Sequence, residues 1–150
     1  MDISRFDIAN ELIKILQREY PGEYQKKSDA ESVFVYGYGK RGIAEGFIGV
    51  DIRNANEIIC CLYYEIANHN YYEAKDIVDR YNSSYSKSYP YAWLSISNDK
   101  NGAYVYILLK ANETCYTAFG YADSARKTID RLFFNSDLES TRNKLKKLEY

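Results

Sequence analysis

Strict alternation between two kinds of side chain is the feature of this sequence that most constrains its fold. In the segment "AYVYILLKA", residues 103–111, small or aliphatic residues take every second position, and Tyr104, Tyr106, Leu108 and Lys110 take the positions between them. Successive side chains of a β-strand point to opposite faces of a sheet. The segment is therefore predicted to be a strand with an aliphatic face and a separate, aromatic face.

The same reasoning, with turn-forming segments as boundaries, predicts a total of five strands. The predicted strands are Ser32–Tyr38, Ile43–Arg53, Glu57–Ile66, Tyr91–Ser97 and Ala103–Ala111. The first two should form one hairpin, and the turn "NDKNG" should join the last two into another. The polar segment "EYQKKSDAE", residues 23–31, is interpreted as a loop.

Helical spacing of apolar residues predicts four helices, and capping patterns mark three of their beginnings. They begin after Ser4, near Asn70, at Asp123 and at Ser136. The resulting order is α-β-β-β-α-β-β-α-α, without a linker or an internal repeat. It predicts a single α+β domain over residues 1–150, with a mostly antiparallel five-stranded sheet and helices packed on one face.

Composition limits the classes of function. The chain has 150 residues, of which 46% are apolar and 27% charged, so a folded core is expected. A net charge of −1 provides no overall field for nucleic acid or an anionic membrane. No apolar run approaches a membrane span, and the charged N-terminus does not resemble a signal peptide. Three cysteines do not make a disulfide framework, so the expected compartment is the reducing cytoplasm.

Seventeen tyrosines are the unusual part of this composition. On four of the five predicted strands, the face opposite the aliphatic residues carries Tyr, Trp or Phe, and no predicted element covers it. Such a face could stabilise a half-solvated sheet through cross-strand pairs, bind a protein partner or a second copy, or stack a ligand or single-stranded nucleic acid. The candidate partner-binding residues are Phe34, Tyr36, Tyr38, Tyr63, Tyr91, Trp93, Tyr104 and Tyr106.

The stretch "GYGKRG", residues 37–42, suggests a phosphate-binding loop but has neither the spacing nor the context of one. A Walker loop needs Ser or Thr after its Gly-Lys pair and leads into a helix, whereas Arg41 and a strand follow here. The glycines are instead expected to adopt positive φ in a hairpin turn. Lys40, Arg41 and Lys110 remain candidates for an exposed anion contact.

An enzyme site has few residues to draw on. His69, the one histidine, could in principle activate Cys60, Cys61 or Cys115. The adjacent cysteines lie on a predicted central strand, however, where burial would make a thiol inert. No metal or cofactor is expected, since the chain has no Cys-x-x-Cys and a single histidine.

Three segments support a family resemblance. They are "AKDIVDRYN", which ends in the pair Tyr81-Asn82, "YAWLSISNDKNGAYVYILLK" and "YADSARKTIDRLF". Together with the element order they resemble the YbjN-like family, which is similar in fold to type III secretion chaperones. The resemblance implies a non-enzymatic, often dimeric, protein-binding module.

The leading hypothesis is therefore a non-enzymatic cytoplasmic protein that uses the aromatic face to dimerise or to bind a partner, with chaperone-like or regulatory character. The alternatives are stacking of a nucleotide or single-stranded nucleic acid on the same face, and a small hydrolase-type enzyme.

Overall fold

The computed structural model describes residues 2–85, 92–100 and 102–150. The elements in chain order are α1 (Arg5–Glu19), β1 (Gly22–Ser28), β2 (Val33–Arg41), β3 (Ala44–Asn54), β4 (Glu57–Ile66), α2 (Tyr71–Tyr85), β5 (Trp93–Asp99), β6 (Gly102–Ala111), α3 (Ala118–Phe134) and α4 (Ser136–Lys146). The predicted α+β class is confirmed.

The strands form one antiparallel sheet in the order β1-β2-β3-β4-β6-β5. The first four strands follow each other as neighbours. α2 then carries the chain to the outer position, where β5 lies, and β6 returns by a hairpin to pair with β4. β1 and β5 are therefore the two edges.

The prediction of five strands was wrong because the segment interpreted as a loop contains β1. This strand pairs with β2 from Gly22 opposite Gly39 to Ser28 opposite Val33. Apart from Tyr24, which is half buried, its side chains are exposed. An edge strand with a single inward apolar residue carries no readable alternation, and its Lys and Glu side chains resemble a loop by composition.

The third helix begins at Ala118 and not at the predicted Asp123. Thr117 caps it, because its side-chain oxygen accepts a hydrogen bond from the backbone N–H of Gly120 at 2.9 Å. This cap satisfies one of the free N–H groups of the first turn. The sequence did not predict the part of this helix before Asp123 because Gly120 interrupts the helical pattern.

One cluster of buried side chains joins the helices to one face of the sheet. α1 contributes Ile8 and Leu12, α3 contributes Ile129 and Leu132, and α2 contributes Val78. The strands contribute the predicted aliphatic side chains, among them Val35, Leu62, Leu94, Val105 and Ile107. Burying one such side chain is worth about 1.5–3 kcal/mol, so this face holds the helix layer in place. No described helix combines the length and apolar character needed to cross a membrane.

The predicted hairpin turn is present between β2 and β3, and Gly42 adopts φ 62° there. Positive φ does not explain Gly37 and Gly39, which lie within β2. A Cβ atom at Gly37 would overlap the backbone of β1, and one at Gly39 would overlap the Tyr24 hydroxyl. These two glycines allow close approach of the edge strand.

Candidate interaction face

Four aromatic rings form a continuous row across the sheet, on the side opposite the helices. Tyr38, Phe47, Tyr63 and Tyr106 are direct cross-strand neighbours on β2, β3, β4 and β6. Their ring centroids lie 5.1, 5.3 and 6.3 Å apart in that order. These spacings are within the range of favourable aromatic pairs. We call these four residues the aromatic row.

Further rings extend the row along the strands. Phe34 stacks on Tyr36 at 5.4 Å, and Tyr104 lies 6.4 Å from Tyr106. Trp93 stands on the edge strand β5, opposite Leu108. The aromatic row and these four additional residues, Phe34, Tyr36, Tyr104 and Trp93, are called the aromatic face below.

Within the described parts of the chain, no helix lies over the aromatic face. None of its residues belongs to the buried cluster that joins helices and sheet. Tyr38 is 45% exposed, Phe47 40% and Trp93 37%. Large rings half open to water on one contiguous surface are typical of interaction sites.

The structure places seven of the eight predicted partner-binding residues on this face, and Tyr91 lies outside the described residues. Sequence reasoning missed Phe47, which stands in the middle of the row. Gly49 and Asp51 follow it on the same side of β3 and break the aromatic pattern. The turn at Gly42 was the available signal, because a hairpin through it sets Phe47 opposite Tyr38.

The sulfur atom of Cys61 and the ring of Phe34 both lie next to Gly49 on this side of the sheet. A Cβ atom at Gly49 would meet the Phe34 ring at 2.7 Å and the Cys61 sulfur at 2.9 Å, so the ring fills the space above this glycine. Cys61 is consequently buried, and this burial is the main reason that its pKa is raised to about 12. Phe34, Gly49 and Cys61 thus form a sealed patch next to the aromatic row.

The three predicted anion contacts do not converge. Arg41 turns away from the aromatic face, and its guanidinium lies 3.1 Å from Asp130 and 3.9 Å from Glu19, 5.7 Å from the Tyr20 ring centroid. Lys40 is exposed beside the turn, whereas Lys110 is exposed at the opposite end of the strands. These three cations therefore do not form a common basic patch beside the rings.

The carboxylate of Asp130 is the centre of an internal network that anchors the turn to the helices. It accepts hydrogen bonds from the Tyr20 hydroxyl at 2.5 Å, from Arg41 at 3.1 Å and from Arg126 at 2.8 Å. Arg126 also donates to Asp123 at 3.0 Å. Arg41 is the basic residue of "GYGKRG" that belongs to this network, and it therefore has a structural role.

Both edges of the sheet carry groups that hinder pairing with another strand. The Asn82 amide on α2 donates to the Leu94 carbonyl at 2.9 Å and accepts from the Leu94 N–H at 3.0 Å. It therefore occupies both outward backbone groups of Leu94 as a neighbouring strand would. β1 carries Lys26 and Lys27, and charged side chains discourage edge pairing. The aromatic face has no comparable obstacle among the described residues.

Cys60 and Cys61 are buried, whereas His69 is exposed. Burial raises the pKa of Cys60 well above its ordinary value, and its thiol donates to the Ala125 carbonyl at 3.5 Å on the helix side. His69 is exposed in a short 3-10 helix, Asn68–Asn70. The described residues include no group of side chains suited to hold a metal ion.

Comparisons of this chain with protein families, curated proteins and solved structures gave no match.

Proposed function

We propose that this protein is a non-enzymatic binding module whose aromatic face closes against another protein or a second copy of the chain. One observation carries the proposal: four rings adjoin one another in an unbroken row across the central strands, on a face that no described helix covers. Rings of this kind often dominate binding energy at interfaces, where truncating one costs about 2 kcal/mol or more.

The protected edges support the same function. Asn82 already occupies the hydrogen-bonding groups of Leu94, so a partner strand cannot add there without displacing it. A partner that meets the rings face to face needs no such displacement. Side-chain contact with the face is therefore the favoured mode, in place of strand addition.

The remaining parts of the proposal concern the cellular compartment and the protein family. Three free thiols, two of them buried, suit the reducing cytoplasm. The resemblance to the YbjN-like and secretion-chaperone group is part of the same proposal, since such proteins are expected to act by binding other proteins.

A pair of double variants tests the proposal. Phe47→Ser with Trp93→Ser removes two rings from the aromatic face, and Tyr72→Ser with Tyr116→Ser removes two highly exposed rings elsewhere. Light scattering reports self-association, and cross-linking in a native lysate followed by mass spectrometry reports other partners. We expect the first variant to lose the complex and the second to keep it.

The outcomes decide between explanations. A wild-type protein that is monomeric and captures nothing, or a complex that survives loss of the face rings, contradicts the proposal. Nucleic-acid stacking is tested separately, because Trp93 is the sole tryptophan and lies on this face. A salt-dependent change of its fluorescence with an oligothymidine would favour stacking.

A further inference from the structure

A cleft opens at one end of the aromatic face because β3 and β4 diverge. Their pairing ends at Phe47 opposite Tyr63, although both strands continue beyond it. Past that point β3 stays with β2, and β4 stays with β6. Near the C-terminus, Glu149 bridges to Ile66 on the side of β4 that β3 has left.

The cleft consists of two adjoining cavities of about 230 and 210 Å³. The first opens beside Tyr38, Phe47 and Tyr63, and the second continues between β3 and α4. Both are lined by Phe133 and by Glu45. Each cavity is smaller than the usual 300–1,000 Å³ pocket of a small-molecule ligand, but can take up one long side chain.

Carboxylates that form no salt bridge with a described residue lie in and beside the cleft. Glu45 and Glu149 are half buried, and Glu65 stands exposed beside Tyr63 on the same face. None of the three forms an ion pair within the described ranges. Burial and, to a lesser degree, Glu65 raise the pKa of Glu149, while Lys146 lowers it.

Two cations, Arg142 and Lys146, line the cleft together with these carboxylates. Arg142 donates to the carbonyls of Leu132, at 3.3 Å, and of Phe133, so its charge serves the C-terminal end of α3. Lys146 lines both cavities, its side chain is exposed, and its charge lowers the pKa of Glu149. Lys40 is opposite Glu45 in the register but forms no salt bridge with any described residue. The lining thus contains three carboxylates, Glu45, Glu139 and Glu149, and two cations, of which Arg142 is already engaged by backbone carbonyls.

We propose that this cleft receives an arginine side chain from a basic segment of the protein partner. The inference rests on the proposed function and specifies the chemistry of the partner. A guanidinium stacks well on aromatic rings and forms paired hydrogen bonds with carboxylates. Tyr38, Phe47 and Tyr63 supply the rings, and Glu45 and Glu149 supply the carboxylates.

The arrangement and the charge of the acidic residues distinguish an arginine side chain from a metal ion or a nucleotide as the occupant of the cleft. No described group of acidic residues is close enough to hold a metal ion. Nucleotide phosphates would meet the carboxylates at the mouth and be repelled. An extended side chain with a terminal cation fits both the narrow width and the sign of the charge.

Fluorescence anisotropy with a fluorescein-labelled octa-arginine peptide tests the inference. Glu45→Gln with Glu149→Gln preserves shape and removes two charges, and we expect it to weaken peptide binding about tenfold. Glu73→Gln on α2 is the matched control and should leave affinity unchanged. Gly46→Ala places a methyl group at ordinary contact distance, 3.6 Å, from the Phe133 ring, so it should narrow the cleft without disturbing the fold. It should also weaken binding.

Each result bears on the inference separately from the proposed function. Equal affinity of wild type and the Glu45/Glu149 variant, or equal binding of an octa-glutamate peptide, overturns the basic partner. If that happens while loss of Phe47 and Trp93 still removes the natural complex, the interaction face stands and the arginine inference fails. If the protein forms a dimer that depends on the rings and does not bind the peptide, a second copy of the chain occupies the face. That result also overturns the arginine inference. Complexes that ignore the rings refute the proposed function itself.

Discussion

Replacing Phe47 by alanine separates a binding role of the aromatic row from a purely structural one. Phe47 contacts rings on both neighbouring strands, at 5.1 and 5.3 Å. Truncating a fully buried phenylalanine costs about 3–5 kcal/mol. Phe47 is 40% exposed, and water fills the space left by its ring, so no cavity remains. Two cross-strand pairs contribute about 0.2–1 kcal/mol each, so we expect a stability loss of about 1–2 kcal/mol.

The binding loss should be larger than the loss in stability. A ring at the centre of an interface contributes about 2 kcal/mol or more, which corresponds to about thirtyfold in affinity. Urea unfolding measures the stability, and titration of the complex found with wild type measures the affinity. Phe133→Ala is the stability control, since that ring is buried and stacks on Tyr20 at 5.4 Å. If Phe47→Ala destabilises as much as Phe133→Ala and leaves binding intact, the row is a structural element and the reasoning is refuted.

Three further predictions test the description of the fold. Asn82→Ala should lower stability by about 1–3 kcal/mol in urea, because it removes both hydrogen bonds to Leu94 and exposes the β5 edge; an unchanged midpoint would contradict edge protection. Arg41→Ala should lower the stability measured by thermal unfolding by about 1 kcal/mol, because Arg41 is partly exposed yet paired with Asp130. Lys40→Ala should change it very little, and equal effects of the two variants would contradict a stabilising role of the network around Asp130. At pH 8, a thiol reagent should label Cys115 quickly and Cys61 only after unfolding, because burial and a pKa of about 12 keep the Cys61 thiol protonated and inaccessible. Fast labelling of a folded Cys115→Ser variant would contradict the burial of Cys61 under the Phe34 ring.

Alternation within single strands made the aromatic face predictable. The side to which Tyr63 or Tyr106 points depends on strand periodicity alone, so no knowledge of neighbouring strands was needed. Phe47 escaped because Gly49 leaves a gap on the same side of its strand. β1 escaped because Tyr24 is its one inward apolar side chain, which gives no alternation to recognise.

Long-range pairing explains the features that sequence reasoning could not reach. Arg41 and its partner Asp130 are 89 positions apart, so the charge of the turn could not be assigned to a network from the sequence. The cleft depends on where the β3–β4 register ends and on α3 and α4, whose residues line it. Such properties belong to the assembled sheet and have no local signature.

Acrylamide quenching of Trp93 fluorescence tests the central claim most directly, because this single tryptophan lies on the aromatic face and is 37% exposed in the isolated chain. The measurement compares the dilute protein with the complex identified by light scattering or cross-linking. If the face is the binding surface, the quenching constant falls when the complex forms, and it returns to the dilute value in the Phe47→Ala variant. A complex in which Trp93 stays as accessible to acrylamide as in the free protein contradicts the account.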